Sequence, residues 1–185
     1  APGAYRIADR IRATGIPVMM GGSHVSFLPD EALEHADFVI RGEGEYTLME
    51  TISAIETGSG FNGIKGLSFK IGNEIRHNQE RELVYNLDEL PFPDLSLIHN
   101  KERIKITPVY TTRGCPYNCS FCSVIQMFGR KYRQRSIANV IEELHQINAK
   151  QIFFYDDNFT AQPERTKNLL ETMIREKLVV PWTAQ

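Results

Sequence analysis

The sequence predicts an α/β fold made of parallel βαβ units on either side of a β-hairpin segment. Short apolar runs alternate with segments of helical periodicity in residues 1–60, and the same alternation resumes after residue 106. Between them, residues 61–105 show period-two alternation and several prolines. Because parallel neighbouring strands need a crossover helix, strand–helix alternation indicates parallel sheets. We therefore expect domains over 1–60 and 106–185, joined by the intervening segment.

The first segment, residues 1–60, is predicted to contain three helices and two short strands. The strands are the apolar runs at 16–20 and 38–40, as expected for buried strands of a parallel sheet. The third helix ends at Gly58 and is expected to bury one apolar stripe. This stripe consists of Leu48, Met49, Ile52 and Ile55.

The middle segment, residues 61–105, changes character. Apolar and polar residues alternate over 67–71, a Gly-Asn turn follows at 72–73, and the chain returns over 74–77. This pattern predicts a β-hairpin. The proline-punctuated stretch 90–94 cannot be helix interior, so the whole segment is interpreted as an interdomain linker with its own hairpin.

The third segment is predicted to contain two complete βα units and the start of a third. Strands are expected at 107–111 and 151–155. Ser136 is a suitable N-cap for the first helix and Pro163 suits the first turn of the second. Trp182 lies where a third strand would begin.

Composition and charge exclude several classes of protein. The 185 residues hold 21 basic and 23 acidic side chains, which gives no reason to expect nucleic acid or an anionic membrane surface as a partner. The apolar runs fall far short of the roughly 20 residues needed to cross a bilayer. The sequence starts without a methionine or a secretory leader and stops inside an expected strand. We therefore expect a piece of a longer cytoplasmic protein, inactive when isolated.

The most informative motif is a set of three cysteines, Cys115, Cys119 and Cys122, which are the only cysteines in the sequence. Their spacing is C-x3-C-x2-C, and an odd number cannot pair internally as disulfides. A structural zinc ion or a fully ligated iron–sulfur cluster needs four protein ligands. Three thiolates on one loop suit a cluster with one iron left open. Unrelated reduced cysteines and an adventitious zinc site are the alternatives.

The loop resembles the cluster loop of the radical S-adenosylmethionine (radical SAM) enzymes, with Cys115, Cys119, Cys122 and aromatic Phe121 at matching positions. The resemblance implies that the three cysteines hold a 4Fe-4S cluster whose open iron binds S-adenosylmethionine. One electron then splits S-adenosylmethionine into methionine and a 5′-deoxyadenosyl radical. The resemblance further implies that Phe121 lies near the adenine; otherwise Phe121 is a core residue.

The same resemblance implies that the third segment is the start of a partial (β/α)6 radical SAM barrel, whose chemistry lies at the carboxyl ends of the strands. Asp156 and Asp157 follow the second barrel strand, where the family has residues that bind the amino group of S-adenosylmethionine. Their carboxylates can accept charge-assisted hydrogen bonds from an ammonium group. A helix cap or turn is the alternative role for Asp157.

A second resemblance concerns the first segment. The glycine pair Gly21-Gly22 follows a strand, which suits close approach of a ligand or simply a tight turn. The run from this pair to Glu45 resembles the C-terminal part of a doubly wound, Rossmann-like cobalamin-binding domain, in which the pair lies against the nucleotide tail. Glu43 and Glu45 are either ligand contacts or acids that favour a helix start. His24 does not match the cobalt-binding loop of that family and is not assigned as a ligand.

These resemblances together imply a cobalamin-dependent radical SAM methyltransferase. The expected cofactors are a 4Fe-4S cluster, S-adenosylmethionine and cobalamin. The expected partners are a small-molecule substrate and a one-electron donor such as flavodoxin or ferredoxin. No catalytic side chain is assigned. The alternatives are a radical cyclase or rearrangement enzyme without methyl transfer, and a non-catalytic metal-binding module.

Basic residues around the cysteines either create a positive field or form a solvated face. They are Arg113, Arg130, Lys131, Arg133 and Arg135.

Overall fold

The computed structural model describes residues 1–147 and 149–185, which form two compact units, Ala1–Leu83 and Val84–Gln185. Both units are mixed α/β, which confirms the predicted fold class. No helix of the described residues is long and apolar enough to cross a membrane. The domain boundaries expected at 60/61 and 105/106 remain predictions.

The first unit contains a four-stranded sheet with the strand order β1-β2-β3-β4. Strands β1 and β2 are parallel, whereas β3 and β4 form the antiparallel hairpin predicted from the sequence. The hairpin joins the sheet because β3 pairs with β2. The elements are α1 (Pro2–Arg12), β1 (Met19–Gly21), α2 (Ser23–Phe27), α3 (Pro29–His35), β2 (Phe38–Ile40), α4 (Glu45–Thr57), β3 (Leu67–Ile71) and β4 (Glu74–His77).

The central strand β2 is buried on both faces, which explains its uninterrupted apolar sequence. Val39 packs into a cluster that also holds Tyr5 of α1 and Leu33 of α3. Phe38 and Ile40 point to the opposite face and pack with residues of β3. Successive side chains of a strand alternate between the faces of a sheet, so this one strand serves two small cores.

Helix α4 buries a different face from the one that the sequence predicts. Its buried residues are Thr47, Thr51 and Ala54, whereas Met49 of the predicted stripe is 65% exposed. The buried hydroxyls are satisfied locally: Thr47 Oγ1 donates to the carbonyl of Lys65 at 2.8 Å, and Thr51 Oγ1 donates to the carbonyl of Thr47 at 2.7 Å. The threonine face is therefore buried with a hydrogen-bond partner for both hydroxyl groups, which offsets the cost of removing them from water.

The second unit is built around a three-stranded parallel sheet with the order β5-β8-β9. A separate two-stranded antiparallel ribbon is formed by β6 and β7. Short 3₁₀ turns cover much of the chain before β5. The elements are β5 (Thr107–Val109), β6 (Thr112–Arg113), α5 (Val124–Phe128), β7 (Arg133–Gln134), α6 (Ile137–Gln146), β8 (Ile152–Phe154), α7 (Pro163–Arg175) and β9 (Trp182–Ala184).

The core of the second unit lies between this sheet and the helices α6 and α7. Apolar side chains of all three elements share one buried cluster, which includes Phe154, Leu144 and Leu169. The expected N-cap of α6 is confirmed because Ser136 Oγ accepts a hydrogen bond from the backbone N–H of Asn139 at 3.1 Å. Pro163 in the first turn of α7 and a strand beginning at Trp182 are also confirmed.

Candidate cluster and cofactor sites

The three cysteines lie on an irregular loop between β6 and α5. All three thiols are free; Cys115 and Cys122 are partly buried, and Cys119 is exposed. The backbone N–H of Cys122 donates to the carbonyl of Cys119 at 3.1 Å, which makes a tight turn between the last two cysteines. Two antiparallel strands, β6 and β7, close the base of this loop.

The donor set fits an iron–sulfur cluster, since thiolates are soft ligands that suit iron–sulfur centres. In the chain as described, without residue 148, no three His, Cys, Asp or Glu side chains lie close enough together to hold a metal ion. The assignment of Cys115, Cys119 and Cys122 as ligands therefore remains a prediction. It depends on the type of the donors and on their shared loop.

A glycine brings the two ends of the loop close together. Gly114 precedes the first cysteine and has φ +85°, a conformation that L side chains rarely adopt. A Cβ atom at this position would lie 2.5 Å from the carbonyl oxygen of Lys131, which precedes β7. Only glycine therefore fits at this point without a shift of the backbone.

Asp156 lies two residues after the end of β8 and is only 1% exposed. Its Oδ1 accepts hydrogen bonds from the backbone N–H groups of Thr111 at 2.5 Å and Thr112 at 3.0 Å. Its Oδ2 accepts one from Thr111 Oγ1 at 2.6 Å. The carboxylate thus binds the stretch of chain that connects β5 to the cysteine loop.

Asp157 is half-buried and contacts the same stretch of chain nearer to the first cysteine. Its Oδ2 accepts a hydrogen bond from the backbone N–H of Gly114 at 3.0 Å. Burial raises the pKa of the Asp157 carboxyl group, and the bond from Gly114 opposes this rise. The capping or turn role considered for Asp157 matches this contact, while the predicted contacts of Asp156 and Asp157 with S-adenosylmethionine remain predictions.

Arg165 on α7 completes the polar cluster around Thr111. It donates to Thr111 Oγ1 at 3.1 Å and to the carbonyl oxygens of Thr111 at 3.2 Å and Arg135 at 2.8 Å. Burial lowers the pKa of Arg165. Neither Thr111 nor Arg165 is marked by a sequence motif; the only signal was the position of Thr111 at the end of the strand predicted over 107–111.

Two of the basic residues near the cysteines are buried. Arg133 is 5% exposed and donates to the carbonyl of Val84 at 2.7 Å. Arg135 is 3% exposed, pairs with buried Glu143 and donates to the carbonyl of Tyr110 at 2.8 Å. A solvated face therefore does not describe these two arginines, although Arg130 and Lys131 of the same set are exposed.

Phe121 is 91% exposed on the cysteine loop. Its alternative role as a core residue is therefore wrong for the unit as described. Its proximity to an adenine ring stays a prediction. An exposed aromatic ring next to a cysteine is available for stacking on a ligand.

The glycine pair of the first unit lies where the sequence predicts it, at the carboxyl end of β1. Gly21 ends the strand, and Gly22 has φ +102° at the start of α2. Ser26 of α2 links this turn to the loop after β2: its Oγ donates to the carbonyl of Gly22 at 2.8 Å and accepts from the N–H of Gly42 at 3.0 Å. No sequence motif had marked Ser26.

The other residues of the first unit that were considered as ligand contacts lie in different surroundings. Glu43 is 6% exposed, and Glu45 begins α4. The position of Glu45 in the first turn matches the helix-start alternative. His24 contacts Glu31 at the surface, with 3.4 Å between Nε2 and Oε1.

Comparison with known protein families agrees with this division of the chain. Residues 1–52 match the B12 binding domain, and residues 109–183 match the radical SAM superfamily. The chain therefore belongs to the radical SAM enzymes that carry a cobalamin-binding domain, as the sequence resemblance implied.

Two curated relatives illustrate this membership. An uncharacterized methyltransferase of Pyrococcus horikoshii is 38% identical over 178 residues, covering 90% of the chain and 39% of the relative. The bacteriochlorophyllide d C-12(1)-methyltransferase of Chlorobaculum tepidum is 34% identical over 194 residues, covering 100% of the chain and 39% of the relative. The chain thus spans well under half the length of these relatives.

A solved structure supports the fold. The radical S-adenosylmethionine methyltransferase TsrM from Kitasatospora setae, with tryptophan and a SAM analogue bound, superimposes with a TM-score of 0.75 at 24% identity. The match covers 94% of the chain and 36% of that structure. It confirms the architecture of the two predicted α/β segments.

Proposed function

We propose that the full-length protein carrying this sequence is a cobalamin-dependent radical SAM methyltransferase that acts on a small molecule. The observation that carries this proposal is the loop with Cys115, Cys119 and Cys122, which follows the carboxyl end of a parallel strand. The loop supplies three thiolates, and a four-iron cluster held by these three alone keeps one iron free of protein ligands. When bound, the cluster supplies the electron that splits S-adenosylmethionine.

The residues around the loop have defined tasks in this proposal. The three thiolates hold the cluster on one side. Exposed Phe121 contributes an apolar surface for the adenine. The β6–β7 ribbon and Gly114 hold the two ends of the loop together, and the loop follows the carboxyl end of β5, the side of the sheet on which ligands of α/β proteins bind.

Methyl transfer is supported by the first unit and by the names of the relatives. Residues 1–52 match a B12 binding domain, and both relatives described above are named methyltransferases. Gly21 and Gly22 are exposed at the carboxyl end of β1, where a nucleotide tail can approach the backbone closely. We propose that this turn contacts cobalamin in the full-length protein.

The proposed function also requires an electron donor and a cellular environment in which the thiols stay reduced. Reductive cleavage consumes one electron, so a small carrier such as flavodoxin or ferredoxin is required as a partner. Three free thiols suit a reducing, cytoplasmic environment.

The proposal is tested by cysteine substitution in the full-length protein. We expect the anaerobically reconstituted protein to hold about four irons and four sulfides per chain and to absorb visible light. Cys115→Ala, Cys119→Ala and Cys122→Ala should each abolish formation of deoxyadenosine from S-adenosylmethionine. Ser120→Ala is the matched control, because Ser120 lies on the same loop and is exposed.

Three outcomes would contradict the proposal. Full turnover by any cysteine variant would overturn the cluster assignment. Bound zinc without iron or sulfide would instead favour a non-catalytic metal-binding module. Deoxyadenosine formation with a cyclised or rearranged product, and no methyl transfer, would retain the radical chemistry and exclude the methyltransferase.

A further inference from the structure

We propose that Asp156 is a positioning residue for the cysteine loop rather than a ligand of S-adenosylmethionine. Its carboxylate lies at the carboxyl end of β8 and is 1% exposed. Within residues 1–147 and 149–185, its carboxylate accepts hydrogen bonds from Thr111 and Thr112, which lead from β5 into the loop. This inference rests on the proposed function, because it assigns a task with respect to the same cluster.

The first step of the argument concerns the backbone. The chain leaves the parallel sheet after Val109, and Thr111 and Thr112 are buried there, at 0% and 2% exposure. Buried N–H groups without a partner are costly. Asp156 Oδ1 accepts both of these N–H groups, so one carboxylate oxygen fixes the direction in which the chain leaves the strand.

The second step concerns charge. A buried carboxylate is expensive unless it is paired and hydrogen-bonded. Arg165 lies on the other side of Thr111 and donates to the hydroxyl group that itself donates to Asp156 Oδ2. The order guanidinium, hydroxyl, carboxylate places a positive charge one side chain away from Asp156. Both carboxylate oxygens of Asp156 are therefore hydrogen-bonded to the protein itself, which favours a structural role over contact with a ligand.

The third step extends the contact to the first cysteine. Asp157 Oδ2 accepts the N–H of Gly114 at 3.0 Å, and Gly114 precedes Cys115. Two consecutive aspartates therefore hold three N–H groups in the four residues before Cys115. The strand β8 lies beside β5 in the sheet, so these contacts tie the cysteine loop to the rigid part of the unit. Groups that orient metal ligands are often as important as the ligands themselves.

The test uses the full-length protein and two substitutions at one position. Asp156→Ala removes both oxygens, and we expect the affinity of the apo protein for the cluster to fall about 10-fold. Asp156→Asn retains an acceptor for Thr111 and Thr112, so the iron content should recover towards the unchanged protein. Asp94→Ala is the control, because exposed Asp94 also accepts a backbone N–H, from Ser96 at 2.8 Å, away from the loop.

A spectroscopic readout separates positioning from direct binding of S-adenosylmethionine. The reduced Asp156→Asn protein should show the same change in its electron paramagnetic resonance spectrum on addition of S-adenosylmethionine as the unchanged protein. A full iron content in Asp156→Ala would overturn the inference. So would an Asp156→Asn variant that keeps its iron and no longer responds to S-adenosylmethionine, because that result assigns the carboxylate to the ligand.

Two further measurements keep the test decisive. If Asp156→Ala does not fold, Thr111→Val keeps the backbone N–H bonds to Asp156 and removes only the hydroxyl, with its bonds to Asp156 and Arg165. Its iron content, measured on protein shown to be folded by circular dichroism, should fall below that of the unchanged protein. Unaltered iron content in folded Thr111→Val would then contradict the inference. Failure of the unchanged protein to take up iron would instead reject the proposed function, which makes the two failures distinguishable.

Discussion

Gly114 shows how one residue shapes the candidate cluster site. Its φ is +85°, and a Cβ atom would lie 2.5 Å from the carbonyl oxygen of Lys131. The positive φ alone costs a non-glycine residue about 1–2 kcal/mol. Overlap with a neighbouring backbone atom adds about 1–3 kcal/mol. We therefore expect Gly114→Ala to lower the free energy of unfolding by about 2–5 kcal/mol, measured by urea denaturation of the apo protein.

The control for this substitution is Gly63→Ala. Gly63 has a similar φ of +89°, and no atom lies within 4 Å of the Cβ position. We expect Gly63→Ala to lower the free energy of unfolding by only about 1–2 kcal/mol, which is the cost of the backbone conformation alone. Equal losses of stability in the two variants would show that the close approach to Lys131 does not restrain the loop.

The sequence could predict the positions of the candidate site residues better than it could predict their contacts. The spacing of the three cysteines was enough to predict their shared loop, because ligands that are close in sequence remain close in space. Asp156 and Asp157 were placed correctly after a strand, yet their contacts with Thr111, Thr112 and Gly114 join residues more than forty positions apart. Such contacts depend on the register of β5 with β8, which no local pattern shows.

Helix α6 offers a prediction at the scale of an element. Ser136 Oγ caps the helix by accepting the N–H of Asn139 at 3.1 Å, and α6 contributes Val140, Ile141 and Leu144 to the core. We expect Ser136→Ala to lower the free energy of unfolding by about 1 kcal/mol. Thermal denaturation followed by circular dichroism measures the change.

The matched control at this scale is Ser123→Ala. Ser123 occupies the N-cap position of α5, and its side chain makes no capping hydrogen bond. Removing the Ser123 hydroxyl group should therefore leave the melting temperature nearly unchanged. A larger effect at Ser123 than at Ser136 would contradict the capping argument.

Helix α4 shows why sequence periodicity has limits for an element. The apolar stripe predicted an inward face with Met49, but the helix buries Thr47 and Thr51 instead. The reason is the partner of Thr47: its hydroxyl donates to Lys65 and accepts from Arg81 Nε at 2.7 Å. Buried hydroxyls satisfied by distant residues are indistinguishable from exposed ones in a hydropathy pattern. The short helix α2, with its Ser26 bridge, was missed because five residues carry little periodic signal.

At the scale of the molecule, both units follow the same rule. Each contains neighbouring parallel strands, and each places its candidate ligand-binding residues just beyond their carboxyl ends. In the first unit these are Gly21 at the end of β1 and Gly22 directly after it. In the second they are the cysteine loop, which follows β5 and β6, and the aspartates after β8. Two cofactors on one chain therefore need no special fold, only two copies of the same arrangement.

This rule leads to a prediction for cobalamin. Gly21 has an ordinary φ, and a Cβ atom there would meet only Ile40, at 3.8 Å, which is a normal contact. Gly21→Val in the full-length protein should therefore fold with an unchanged melting temperature. If the glycine lets the cobalamin nucleotide approach the backbone, the added side chain costs about 1–3 kcal/mol of binding energy, which lowers the affinity roughly 5- to 140-fold. Equilibrium dialysis with hydroxocobalamin measures it, and Gly60→Val is the control because no atom lies within 4 Å of its Cβ position. Equal affinities for the two variants would move the cobalamin site away from the β1 turn.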